Sequence, residues 1–134
     1  MGDNADEQTG HQVTVYEAVG GEPFFVALVN RFYDLIETDE VVRPLYPEDL
    51  TESRRTTAGF LSQLFGGPAH YSAERGHPRL RMRHAPFAIG VAERDRWVAH
   101  MTRAVRENRL APEIEEAMIG YFETAATHMV NQSG

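Results

Sequence analysis

The sequence of 134 residues contains no cysteine, and none of its apolar runs is long. Without cysteine there can be no disulfide, no thiolate zinc site and no cysteine nucleophile, so we expect a cytoplasmic protein. A membrane span needs roughly 20 consecutive apolar residues, and no segment approaches that length. No signal-peptide pattern opens the chain either. We therefore expect no membrane partner.

Lysine is also absent, so all 13 basic residues are arginine, and the net charge is −7. A chain with this acidic balance is a poor general binder of nucleic acid, because such binding depends on neutralising phosphates. We therefore expect no nucleic-acid partner. Arginine presents a planar fork of donors that suits carboxylates. The basic residues are thus expected to serve a local acidic ligand.

Alternation of apolar and polar residues with period two is missing, so no strand is predicted. The length predicts one domain, which we assign to residues 13–134, and the polar residues 1–12 are predicted to be a disordered tail. Apolar residues recur at spacings of three and four, as in amphipathic helices. The segments are Phe25 to Ile36, Thr51 to Phe65, Trp97 to Val105 and Ile114 to Met129. The fold class is therefore all-α.

The helix predicted over Thr51 to Phe65 has a mixed stripe on its inward face. The stripe consists of Ser53, Thr57, Phe60, Leu61 and Leu64. Hydroxyl groups facing a core usually bond to their own helix. If they line a pocket instead, they add hydrogen-bonding groups near a ligand. The residues alone leave both interpretations open.

The segment "RGHPRLRMRHAPFAIG" runs from Arg75 to Gly90 and has weak helical periodicity. Its first ten residues include four arginines and two histidines, with no acid. A lone histidine such as His84 is more often a hydrogen-bonded surface residue. Here, however, Met82, Phe87 and Ile89 supply apolar surface around it. A flat apolar cofactor with two carboxylates would use such a pocket, with an imidazole for its metal and arginines at the rim. Haem fits this description.

Three aromatic residues with polar groups stand near the predicted apolar faces: Tyr33, Tyr46 and Trp97. Tyrosine and tryptophan are routine core residues whose polar tips reach the edge of the core. The alternative is that their O–H and N–H groups converge as donors on a bound ligand.

The chain resembles the group II truncated haemoglobins. The resemblance is carried by "YEAVGG", "RFYDLI", "RPLYPEDL", "FLSQLFGGP", "YSAERGHPRLRMRHAPFAIG" and "ERDRW", in this order along the chain. It implies a globin-like, two-over-two helical sandwich around haem b. It also implies that His84 is the proximal ligand of the iron.

The resemblance assigns further roles. Tyr33, Tyr46 and Trp97 match residues that stabilise distal ligands, and Thr57 joins them in this chain. Arg83 resembles a residue that binds a haem propionate, and Arg79, Tyr71 and His77 are weaker candidates. The other expected haem contacts are Met82, Phe60, Leu61, Phe87, Ile89 and Ser53, of which Ser53 falls at the position of a ligand gate.

The implied function is binding of O2, CO or NO at a histidine-ligated iron, with slow oxygen release. Redox chemistry on O2, NO or peroxide would then need a reductase, and peroxidase-like or NO-dioxygenase-like activity is an open option. The alternative is a haem-based sensor or oxygen store acting through a protein partner. A third interpretation is a cofactor-free helical module whose arginines bind an acidic partner. Monomer and homodimer both remain open.

Overall fold

The structure is a computed structural model that describes residues 13–76, 79, 84 and 87–132. The tail predicted over residues 1–12 lies outside this part of the chain. The α-helices are α1 (Val15–Ala18), α2 (Glu22–Glu37), α3 (Thr51–Leu64), α4 (His70–Arg75), α5 (Val91–Arg106) and α6 (Pro112–Met129), and a 3-10 helix spans Arg43–Leu45. No strand occurs within the described residues. The all-α prediction is confirmed.

Helix α2 contributes the largest share of the buried core. It begins after Gly21 and carries Pro23 in its first turn, where a missing N–H costs nothing. Its buried face consists of Phe25, Leu28, Val29, Phe32, Tyr33 and Ile36. Each is at most 3% exposed. The predicted apolar face is thus confirmed, and it also includes Tyr33.

The corner between α2 and α3 is short and is held by Arg43. Pro44 lies in the 3-10 helix. The Arg43 guanidinium donates to the backbone carbonyls of Tyr46 (3.3 Å), Pro47 (2.9 Å) and Glu48 (2.8 Å). These bonds satisfy carbonyls that the prolines leave outside any helix. Arg43 therefore fixes the backbone at Tyr46.

Helix α3 turns Ser53, Thr57, Phe60 and Leu61 of the predicted stripe toward one cavity, and the fifth member, Leu64, needs a correction. Its buried residues are Ala58, Leu61 and Ser62. Leu64 is 39% exposed, so its placement on the inward face was wrong. The spacing of apolar residues shows which face of a helix is buried. It does not show at which residue the neighbouring helices cease to cover that face.

The helices form two packed pairs. Helix α2 packs on α3, α5 packs on α6, and α2 also packs on α5, which joins the pairs. Met101, Ala104 and Val105 of α5, with Met118 and Phe122 of α6, are buried between them. Across residues 13–76 and 87–132, no helix is both long enough and apolar enough to cross a membrane.

Helix α1 was not predicted, although the sequence carries its signal. Thr14 and Glu17 form a capping box, in which each side chain accepts the other residue's backbone N–H. The Tyr16 N–H donates to the Phe65 carbonyl at 2.8 Å, which ties α1 to the end of α3. Gly66 follows with φ = 109°, a conformation that favours glycine.

We predict that Gly66→Ala is much more destabilising than Gly20→Ala. Both glycines have positive φ (109° and 100°), so alanine is strained at each by about 1 to 2 kcal/mol. A Cβ at Gly66 would also lie 2.5 Å from the Thr14 Cβ, whereas a Cβ at Gly20 meets nothing within 4 Å. Urea unfolding should show that Gly66→Ala lowers the free energy of unfolding by roughly 3 kcal/mol or more. Equal losses for the two variants would contradict this prediction.

Candidate functional site

A cavity of about 410 Å³ lies between the two helix pairs. It is within the size range of small-molecule and cofactor sites. Every main helix from α2 to α6 contributes to its wall. The predicted site residues that line it are Tyr33, Tyr46, Ser53, Thr57, Phe60, Leu61, Tyr71, His84, Phe87, Ile89 and Trp97. The structure therefore brings together residues that are 64 positions apart in the chain.

The Tyr33 phenol is held by Thr57. Tyr33 is only 3% exposed, and its oxygen lies 3.0 Å from the Thr57 hydroxyl. Thr57 therefore bonds across to α2, whereas its neighbour Thr56 bonds back to the Glu52 carbonyl of its own helix (3.0 Å). This resolves the alternatives left open for Thr57 by the sequence.

A second hydrogen bond joins Trp97 to Tyr46. The indole N–H donates to the Tyr46 phenol oxygen at 3.1 Å. Because an indole nitrogen can only donate, the phenol oxygen accepts, and its own O–H proton stays available for another acceptor. The two tyrosine rings meet edge to face with centroids 5.4 Å apart. The four polar side chains thus form two adjacent pairs.

Both phenols remain neutral at ordinary pH. Burial raises the pKa of Tyr33, and its hydrogen bond with Thr57 and the nearby charge of Arg54 offset this only in part. Burial also raises the pKa of Tyr46, with a smaller contribution from Tyr33, while the Trp97 hydrogen bond acts in the opposite direction. Both groups therefore keep the proton that a donor needs.

The segment after His84 is tied to the end of α6. His84 is half-buried, its ring centroid is 6.5 Å from that of Phe87, and its carbonyl accepts the Phe87 N–H at 3.0 Å. Asn131 binds both sides of this segment: Nδ2 donates to the Phe87 carbonyl (2.8 Å) and Oδ1 accepts the Ile89 N–H (2.9 Å). The Asn131 N–H also donates to the Ile89 carbonyl (2.8 Å).

The sequence model of the bacterial-like globin family matches residues 14–131. The chain belongs to this family. It is 42% identical over 118 residues to the group 2 truncated haemoglobin YjbI of Bacillus subtilis, covering 88% of this chain and 89% of that one. Membership of group II truncated haemoglobins, as predicted from the sequence, is confirmed.

Solved structures agree with this assignment. Haemoglobin from Chloroflexus aurantiacus aligns with a TM-score of 0.88 at 46% identity, covering 90% of this chain and 100% of that one. The truncated oxygen-avid haemoglobin from Bacillus subtilis aligns at 0.84 and 41% identity, covering 89% and 100%. The group II truncated haemoglobin from Bacillus anthracis aligns at 0.89 and 36% identity, covering 92% and 95%.

The cavity of this globin fits haem b, the cofactor of its family. A wall of mainly apolar side chains suits the macrocycle, and His84 supplies an imidazole at that wall. Arg75 and Arg94 also line the cavity and are suited to carboxylate groups of a cofactor. Arg75 also stands 5.9 Å from the Tyr71 ring centroid. These observations support the predicted cofactor.

The remaining predicted haem contacts differ in how the structure places them, and three of them lie outside the described residues. Arg79 is exposed, and we do not find it among the described residues of the wall. His77, Met82 and Arg83 lie outside the described residues. Phe87 lines the cavity but is 43% exposed.

Arg75, Arg94 and Asn131 were not predicted as site residues from the sequence. Arg75 stood inside the basic segment that was singled out, so its charge was the available signal. Arg94 donates to Thr127 of α6 at 3.1 Å. Arg94 lies in the "ERDRW" motif, but nothing local in the sequence shows what Arg94 or Asn131 binds, because their partners lie 33 to 44 residues away.

Asp39 is the one buried charged side chain among the described residues, at 6% exposure. It bonds to Arg96 and His100 of α5, which stand before and after Trp97 in the chain. Burial alone would raise the pKa of this carboxyl. The hydrogen bonds from His100, the Val41 N–H and Arg96, together with the charge of Arg96, outweigh burial and lower the pKa to about 2. Asp39 is therefore ionised at all ordinary pH values.

We predict that Asp39 contributes to the acid sensitivity of this globin. Since its pKa is lower in the folded than in the unfolded chain, its stabilisation is complete above about pH 4 and is lost as pH falls toward 2. The contribution is on the order of 1 kcal/mol, allowing for solvent screening at the half-exposed Arg96. The free energy of unfolding, measured with urea, should fall less between pH 6 and pH 3 for Asp39→Asn than for the parent. An identical loss would count against this assignment.

Proposed function

We propose that this globin binds haem b through His84 and uses it to bind dioxygen and related diatomic molecules such as CO and NO, with slow release of dioxygen. The observation that carries the proposal is the pairing of Trp97 with Tyr46, which leaves a phenol proton unused inside a mainly apolar cavity. Among the described residues this proton has no protein acceptor, and such a donor is suited to a ligand that carries partial negative charge.

When bound, the haem iron supplies the position that holds a diatomic ligand and the electron density that polarises it. The chain supplies the rest. His84 contributes an imidazole nitrogen, while Arg75 and Arg94 are the described cations of the wall. Tyr46 would donate its free proton, and Tyr33 would donate when the Thr57 hydroxyl donates to the Tyr33 oxygen and so leaves the Tyr33 proton free. Apolar walls exclude water that would compete for these donors.

Hydrogen bonds of this kind slow ligand escape. Each contributes about 1 to 2 kcal/mol to holding a charged or polarised ligand. Two of them would hold dioxygen too long for efficient delivery. We therefore propose redox chemistry on O2, NO or peroxide, supported by an external reductase, over oxygen transport. Oxygen-release kinetics test this choice, because fast release would favour delivery or storage.

We predict that hemin titration of the purified protein gives one saturable site that depends on His84. The expected result for the parent is a stoichiometric haem spectrum in the oxidised, reduced and carbon monoxide-treated reduced states. His84→Ala should lose or strongly alter the reduced-state spectrum, because it removes the imidazole of the wall. His128→Ala is the matched control, since His128 is exposed on α6. No saturable uptake by the parent would overturn the proposed cofactor role.

We predict that Tyr46 and Trp97 act as one unit in oxygen release. Tyr46→Phe removes the donor itself, and Trp97→Phe removes the N–H that orients it. Stopped-flow release of oxygen should be about tenfold faster in each variant, the factor for one ordinary hydrogen bond. The double variant should be no faster than Tyr46→Phe alone. Additive effects would show that Trp97 donates to the ligand directly, as the sequence analysis expected. Tyr33→Phe should add its own factor independently.

A further inference from the structure

We propose that Asp39 is a positioning residue for the Trp97–Tyr46 pair: its buried carboxylate ties the corner that carries Tyr46 to the helix that carries Trp97. The effect on oxygen release rests on the proposed function, whereas the effect on the pair does not. The inference adds a residue that does not itself line the cavity to those that do.

Both carboxylate oxygens of Asp39 are occupied by donors from two elements. Oδ1 accepts the Val41 N–H at 2.9 Å and the Arg96 Nη2 at 3.3 Å. Oδ2 lies 3.1 Å from the Arg96 Nε and 2.6 Å from the His100 Nε2. An ionised carboxylate can only accept, so the His100 Nε2 carries the proton of that bond.

On the corner side, a short series of bonds leads from Asp39 to Tyr46. The Asp39 carbonyl accepts the Arg43 N–H at 2.8 Å. The Arg43 side chain in turn donates to the Tyr46 and Pro47 carbonyls. Asp39 therefore fixes the start of the corner, and Arg43 carries that position to Tyr46.

On the helix side, the two partners of Asp39 flank Trp97. Arg96 precedes it in the chain, and His100 follows it by three residues, about one helical turn. Because Asp39 binds both residues, it fixes the rotation of α5 about its axis and the position of α5 along that axis relative to the corner. The 3.1 Å bond between the Trp97 indole and the Tyr46 phenol depends on that placement.

The geometry requires a charged acceptor at this position. A buried carboxylate is costly unless it is paired and hydrogen-bonded, and here four donors surround it. An amide has one acceptor oxygen, and its NH2 group would face the donors of Arg96 or His100. Asp39→Asn therefore breaks part of the cluster with almost no change in side-chain volume.

A second ion pair provides a matched control. Arg31 of α2 forms two hydrogen bonds with Glu107 (2.8 and 3.1 Å), which directly follows α5. This pair also joins α2 to the end of α5, but its side chains are 39% and 42% exposed. Glu107→Gln therefore weakens another connection to α5 without touching the neighbours of Trp97.

The test uses the fact that the chain has one tryptophan and so gives one indole N–H signal. We would label the protein with ¹⁵N and follow hydrogen exchange of that signal in the purified protein and in the reduced holoprotein saturated with carbon monoxide. Asp39→Asn and Asp39→Ala should exchange on the order of tenfold faster than the parent, as loss of one hydrogen bond implies. Glu107→Gln should leave the exchange unchanged.

Oxygen release is the second measurement and should be several-fold faster in Asp39→Asn. Unchanged indole exchange in Asp39→Asn would overturn the positioning role, and so would equal acceleration in Glu107→Gln. If Asp39→Ala does not fold, Asp39→Asn and His100→Gln still decide the question. If indole exchange is faster in Asp39→Asn but neither the parent nor any variant takes up haem, the positioning role is supported and the proposed function is refuted. Failure of the inference and failure of the proposed function are therefore distinguishable.

Discussion

Packing of the apolar face of α2 is the constraint on which the rest of this globin depends. This helix contacts α3 on one side and α5 on the other. Its residues Phe25, Leu28, Val29 and Ile36 are at most 1% exposed, so the helix cannot rotate without opening the core. Tyr33 is on the same helix, and the Phe32 ring packs against Trp97 with centroids 5.1 Å apart. The position of the hydrogen-bonding groups therefore follows from hydrophobic packing.

A second feature of the site is that its polar side chains are hydrogen-bonded to one another in pairs. Tyr33 bonds to Thr57, and Trp97 bonds to Tyr46. Within the described part of the chain, the Ser62 hydroxyl is the one buried side-chain polar atom without a hydrogen-bond partner. Paired donors in an apolar cavity are already oriented, so a ligand gains their hydrogen bonds with little cost of reordering. A rigid arrangement of this kind favours retention of a ligand over rapid exchange.

The sequence predicted the helices well because hydrophobic spacing reports which face each helix buries. Leu64 was misplaced because spacing does not show where the cover of a face ends. Asp39 went unnoticed for a different reason: in "TDE" it looks like an ordinary turn residue, and its partners Arg96 and His100 lie 57 and 61 positions away.

The candidate site shows the same division between local and long-range information. The motif around His84 and the three polar aromatics identified the family and the cavity residues. The hydrogen bonds among them could not be predicted, since Thr57 can bond equally well to its own helix. Arg94 and Asn131 were missed because their roles depend on elements that meet only in the folded chain.

The bonds of Asn131 have a consequence for biosynthesis. A ribosome makes the chain from its amino end, and residue 131 follows His84 by 47 positions in the sequence. Until α6 and Asn131 have emerged, the segment Phe87 to Ile89 lacks the acceptor and donors that hold it. A nascent chain therefore has the two tyrosines and the histidine of the cavity before it has a closed wall. Closure of this wall around a cofactor therefore requires that residue 131 has been made and folded against Phe87 and Ile89.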